Sequence, residues 1–235
     1  MRFLNCNKVL CLAAHPDDVE YGMLGSIMKF SDTKFDIVVL SEGGNFDEST
    51  SVDRHEECKN IWEGVDNLNG SFLPIKHVAD VSEDELINTI ESNFDINTYD
   101  SICTPPIQDA HFEHRKVNRA SYGLVRRIKC GLITFRTPSV METWTPNFYV
   151  DLSDHITDSG AVVSFAKKKA LQKFESQQEK SYFKDSSINS FHSDYQCSQR
   201  DMSFVESFKI ERCYANRCSL GLCIERYSPS NTTFN

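Results

Sequence analysis

Residues 15–18 read His-Pro-Asp-Asp and follow directly on the apolar run 9–14. An imidazole and two adjacent carboxylates at the mouth of a buried strand are suited to holding a divalent cation and to moving protons. A second group lies at 108–114, Gln-Asp-Ala-His-Phe-Glu-His, where His111 and His114 are three positions apart. At that spacing on a helix, side chains share a face. With the two preceding strands adjacent in one sheet, His15, Asp17, Asp18, His111 and His114 converge at one rim. A hydrolytic zinc site uses three nitrogen or oxygen ligands and keeps a position for water. His15 and Asp18 supply two and a histidine of the second group the third. The remaining carboxylate and imidazole are then available for proton transfer and oxyanion stabilisation, a division of labour that suits amide hydrolysis. The competing reading is structural: an Asp-Asp pair before a helix is often a cap facing the helix dipole.

The elements that must position these residues alternate. Residues 8–14 read as a strand, and Val19, Met23 and Ile27 recur every four residues on one face of a helix. A second unit follows: the apolar run 34–44 ends at Gly43-Gly44, and helical periodicity runs through Cys58, Ile61, Trp62 and Val65. The segment 70–77 is a third strand. Ser82 with Glu85 three residues on opens a helix over 82–94, and 99–106 is a fourth strand. Strands are also expected within 130–138, 147–153 and 203–215, and a helix over 160–177. Alternation without hairpin signals predicts an α/β fold with a mostly parallel sheet flanked by helices on both faces, in which ligands bind beyond the carboxyl ends of the strands. We expect a single domain over 1–235, a mobile loop at 176–201 and a frayed C-terminal tail.

Composition narrows the function class. The net charge of −9 opposes a broad nucleic-acid-binding surface. The basic cluster at 115–129 reads as the solvated face of a helix. No apolar run approaches the ~20 residues of a membrane span, and the N-terminal segment is too short in its apolar core for a signal peptide. Nine cysteines, an odd set without a C-x-x-C pair, fit reduced thiols in a cytoplasmic protein. Cys213, Cys218 and Cys223 lack a fourth soft ligand at suitable spacing and read as ordinary thiols.

The motifs "AAHPDDVE" and "DAHFEH", with "SEGG", "RHEE" at 54–57, "KKKALQKFESQ" and "FVESF", resemble the LmbE-like or PIG-L family of metal-dependent de-N-acetylases. The resemblance implies a Rossmann-like fold and a zinc held by His15, Asp18 and His114, with another divalent metal such as Fe2+ as the alternative. It implies Asp17 as general base toward the attacking water, a protonated His111 at the oxyanion, and Arg54 as a contact to the substrate sugar. The implied substrate is a small-molecule conjugate of N-acetylglucosamine or a related acetamido sugar; oligomer formation is left open. One departure stands out: the family often writes His-x-Asp-His, whereas Glu113 occupies the third position here. Two rivals remain, a non-catalytic metal- and sugar-binding regulatory protein of the same fold, and a hydrolase of another bond such as a phosphoester. A spare carboxylate at Asp17 argues against the first, and the scarcity of bridging carboxylates against the second.

Overall fold

The computed structural model describes residues 1–43, 53–157 and 160–214. Gly44, Cys218, Cys223 and the C-terminal tail, all singled out in the sequence, lie outside the described residues. Seven strands form one mixed sheet, β1 (Lys8–Ala13), β2 (Lys34–Ser41), β3 (Leu68–Ile75), β4 (Ser101–Thr104), β5 (Gly131–Phe135), β6 (Phe148–Asp151) and β7 (Val205–Arg212). Their order is β3-β2-β1-β4-β5-β7-β6. The first five pair in parallel, and β7 runs antiparallel between β5 and β6.

Strand periodicity sets the layers. In β1, Val9, Cys11 and Ala13 enter one apolar cluster and Leu10 and Leu12 the other, because successive side chains alternate across the pleat. The first face is covered by α1 (Asp18–Lys29), α2 (Arg54–Trp62) and, later in the chain, α5 (Val163–Leu171) through Met23, Ile27, Trp62 and Leu171. The second is covered by α3 (Glu83–Asn93) and α4 (Phe112–Leu124) through Leu86, Ile90, Val117 and Leu124. The full capping box at Ser82 and Glu85 is present at the start of α3, as its sequence predicts. Both faces of the central strands are therefore buried, which explains their near-continuous apolar runs.

The chain turns one way from β1 to β2 and β3, and the other way from β1 to β4 and β5. This reversal leaves a crevice beyond the carboxyl ends of β1 and β4. The loop from β1 into α1 and the loop from β4 into α4 both enter it.

Helix α1 is held from behind. Glu206 of β7 accepts hydrogen bonds from the backbone N–H of Gly25 (2.8 Å) and Ser26 (2.6 Å) in mid-helix and pairs with fully buried Lys167 of α5 at 2.5 Å. Lys167 also donates to the Tyr21 carbonyl and to His192 Nε2. A Cβ at Gly25 would lie 2.3 Å from Leu152 Cδ1 and 3.0 Å from Glu206 Oε1, so a larger residue there would displace the Leu152 side chain. Residues 175–198 carry two 3-10 turns and two short helices, α6 (Asp185–Phe191) and α7 (Tyr195–Ser198), with Phe183, Ile188 and Cys197 buried. The basic side chains of α4 have local uses: Arg115 donates to the carbonyls of Asp109 and Ala110, Lys116 to those of Val78 and Ala79, and Arg119 pairs with Glu83.

Candidate active site at the carboxyl ends of β1 and β4

All six sequence-predicted site residues line one pocket of about 420 Å³: His15, Asp17, Asp18, Arg54, His111 and His114. The turn after β1 carries Asp17 at φ 118°, a left-handed conformation that costs a non-glycine residue about 1–3 kcal/mol. Arg54, at the start of α2, opposes that cost. Its guanidinium donates to the Pro16 carbonyl and to the Gly43 carbonyl and lies 3.1 Å from Asp17 Oδ2. Gly43 itself sits at φ 64°, and a Cβ there would meet Pro16 and Arg54. The structure thus gives Arg54 a task that spacing alone did not reveal, locking the His-Pro-Asp-Asp turn and its first aspartate.

Asp17 occupies the position before α1 but makes no side-chain cap bond, so its carboxylate is not consumed by the helix. Burial raises its pKa, Arg54 opposes the rise, and the charge of Asp18 adds to it. Asp18 behaves oppositely. Burial pushes its pKa up, but the charge of His114 and hydrogen bonds from both histidines hold it well below the usual carboxylate range. Its Oδ1 is 3.1 Å from His114 Nε2, and its Oδ2 is 3.6 Å from His15 Nδ1 and accepts the His15 N–H at 2.9 Å. Two neighbouring aspartates therefore occupy distinct electrostatic environments.

Two of the three histidines of the site, His15 and His114, are oriented by carboxylates. The second nitrogen of His15, Nε2, lies 2.5 Å from Glu113 Oε2, while Glu113 Oε1 accepts the Ala79 N–H at 2.7 Å. His114 Nδ1 lies 2.9 Å from Asp109 Oδ2, and Asp109 is itself held by Thr137, by Ser139 and by the His111 N–H. Carboxylates behind ligand imidazoles fix the tautomer and free the other nitrogen to face the site. His15 is raised to about 9, since the hydrogen bonds of Asp18 and Glu113 outweigh a burial that lowers it. His114 reaches about 10 because Asp18 and Asp109 outweigh its own burial. His111, the residue before α4, has its pKa lowered by burial and by the two neighbouring imidazolium charges.

His15, His111 and His114 offer nitrogens within 4.8 Å of one another, a group that could hold a metal ion. Asp18 adds a carboxylate oxygen between His15 and His114. Imidazole nitrogens and a hard oxygen at this spacing fit a zinc-type divalent ion. Sequence reasoning missed Asp109, Lys180 and Tyr182. Asp109 was legible as the aspartate two residues before His111; Lys180 and Tyr182 enter the pocket from a segment with no motif.

Residues 10–125 match the family described as GlcNAc-PI de-N-acetylase, PIG-L. A diacetylchitobiose deacetylase of Thermococcus kodakarensis is 28% identical over 177 residues, covering 65% of this chain and 66% of that protein. An uncharacterized deacetylase of Escherichia coli, YaiS, is 26% identical over 156 residues, 62% of this chain and 82% of that protein. The structure of the N,N'-diacetylchitobiose deacetylase from Pyrococcus horikoshii, complexed with an inhibitor, superposes with TM-score 0.66 at 18% identity, covering 88% of this chain and 84% of that one. The fold and these matches define a class, hydrolases of the N-deacetylase type. Within it, residues 10–125 match the PIG-L, or LmbE-like, family, the one that the two histidine motifs resemble. Among the described residues no helix is long and apolar enough to cross a membrane.

Proposed function

We propose that the chain is a zinc-dependent N-deacetylase that removes the acetyl group from an N-acetylglucosamine-type unit of a larger conjugate. The observation that carries this reading is the pairing of an uncapped, buried Asp17 with the His15, Asp18 and His114 donor set in one pocket. The named deacetylase relatives support an acetylated sugar as the substrate class.

His15 through Nδ1, Asp18 and His114 through Nε2 would hold the metal. Asp18 is the better third ligand than His111, because it is a buried anion kept ionised between the two imidazoles, whereas the His111 ring is exposed. The bound ion supplies Lewis acidity, polarising the amide carbonyl and acidifying water beside it. Asp17 takes a proton from the attacking water as the water oxygen bonds to the acetyl carbon. Its raised pKa makes it a stronger base than an exposed aspartate, and Arg54 fixes which oxygen faces the pocket. When the carbon–nitrogen bond breaks, Asp17 returns that proton to the departing amine. His111 donates a ring N–H to the carbonyl oxygen as negative charge develops there. Glu113 and Asp109 hold His15 and His114 in place throughout. Arg54 lines the pocket, which puts its guanidinium within reach of a sugar hydroxyl. Phe112 and Tyr182 line the pocket and offer aromatic surface to the sugar ring.

The test is to incubate the zinc-loaded protein with a panel of N-acetylglucosamine conjugates and measure acetate and free amine together. Stoichiometric release of both supports the reading. Release of phosphate in place of acetate would remove it, and sugar binding without any hydrolysis would favour the non-catalytic alternative.

A further inference from the structure

Beyond Tyr182 the pocket continues into a second depression of about 340 Å³. Tyr21, Pro138 and Tyr182 are walls of both, and Arg136, Ser186, Ser187 and Ser190 are the polar lining of the second. Arg136 directly follows β5, so it stands at the same carboxyl-end rim as His15. Its Nη1 donates to the Phe191 carbonyl at 2.6 Å, and its guanidinium lies 4.7 Å from the Phe191 ring centroid. Among the described residues it forms no ion pair, and its Nε and Nη2 have no protein acceptor. Asp194 acts on it only through space.

The three serines belong to α6, where 186 and 190, and 187 and 190, share a face. Their hydroxyls make no hydrogen bond among the described residues. Among the described residues the wall contains no carboxylate and no side-chain amide. On the other side of Tyr182, Lys180 Nζ lies 5.7 Å from that ring's centroid and also forms no ion pair among the described residues. In a chain of net charge −9, the shared wall is thus bracketed by two cations that feel Asp194 on one side and Asp17 and Asp18 on the other but form no ion pair among the described residues.

We infer that this groove is a subsite for an oxyanion, a phosphate or carboxylate, carried by the group attached to the acetamido sugar. A guanidinium with unspent N–H groups beside several hydroxyl donors is the donor set an oxyanion takes. A second neutral sugar could use the serine hydroxyls but would leave the guanidinium charge of Arg136 unmatched, whereas an oxyanion meets both. The inference rests on the sugar-deacetylase reading for the occupant of the deeper pocket, and it names the chemistry of what leaves with the amine.

The test is calorimetric titration of the full-length protein with three ligands: N-acetylglucosamine 1-phosphate, the carboxymethyl glycoside of N-acetylglucosamine, and the neutral methyl glycoside. At least one anionic ligand is expected to bind about tenfold or more tighter than the methyl glycoside, the scale of one charge-assisted hydrogen bond. The two anionic arms distinguish phosphate from carboxylate. Arg136→Gln is expected to erase that preference while leaving methyl-glycoside affinity within about twofold. Because Arg136 also supports Phe191, the exposed pair Ser186→Ala with Ser190→Ala provides a second reading, with a loss of about threefold confined to the anionic ligand. Equal affinity for all three ligands, or a preference untouched by both variants, overturns the inference. An Arg136-dependent preference with no acetate release from any ligand would instead overturn the deacetylase reading and leave the anion subsite standing.

Discussion

Replacing Glu206 by alanine removes the counter-charge of the Lys167 ammonium, which is fully buried, and one acceptor of two backbone N–H groups in the middle of α1. Removing one partner of a buried pair costs about 3–5 kcal/mol, since the other charge stays uncompensated in a low-dielectric interior. In a chain of this length each kcal/mol moves the melting temperature by roughly 2–4 °C, so a loss near 4 kcal/mol corresponds to a drop of roughly 8–16 °C. His192 cannot take the charge: burial and the neighbouring ammonium hold its pKa well below the usual range. Scanning calorimetry at pH 7 measures the shift. The double variant Lys167→Met with Glu206→Leu removes both charges and should recover at least half of the loss. A single variant that melts within about 2 °C of wild type would refute the reasoning, as would a double variant less stable than the single. The consequence reaches the site, because α1 begins at Asp18.

Asp36 pairs with Lys8 at 2.8 Å and accepts from Tyr99 and Asn69; burial opposes these contacts, but they hold its pKa below the ordinary aspartate value. A depressed folded pKa contributes stability that is present above the unfolded value and lost as pH falls through the folded one. The melting difference between wild type and Asp36→Asn should therefore shrink as pH is lowered from 7 toward 3, and a constant difference would contradict this. His15 and His114, at about 9 and about 10 without metal, are protonated at neutral pH, so zinc uptake at pH 7 should expel about two protons, read by calorimetry in buffers of different ionisation enthalpy. Glu113→Gln should weaken zinc binding by about 10- to 100-fold by loosening His15, as measured by competition with a chelator. Arg54→Ala should reduce turnover while leaving zinc content unchanged, and it should relax the strained turn at Asp17.

The alternation of apolar runs made the parallel core legible, since strands buried on both faces must be apolar throughout and cannot hide. The placement of β7 between β5 and β6 was not legible, because its direction depends on where the segment after α5 returns to the sheet. The helix expected over 160–177 is shorter, Val163–Leu171: residues 160–162 precede it, Ile156 and Val162 form an isolated bridge, and Glu175–Gln177 form a separate 3-10 turn. At the site, spacing alone brought His111 and His114 together. It could not show that Glu113, the departure from the family pattern, reaches across to His15 rather than serving its neighbour His111. Lys180, Tyr182 and Arg136 were invisible for the same reason: they come from separate segments joined only by tertiary packing.

The central claim is that Asp17 moves protons while Asp18 holds the metal. The most direct measurement compares zinc content and acetate release for Asp17→Asn and Asp18→Asn on the best substrate of the panel. Asp17→Asn should keep zinc near the wild-type level and lose at least about a hundredfold in turnover, because an amide cannot accept the proton that a general base takes. Asp18→Asn should lose zinc. Loss of zinc in the Asp17 variant with retention in the Asp18 variant would exchange the two roles, and full activity in both would contradict the account.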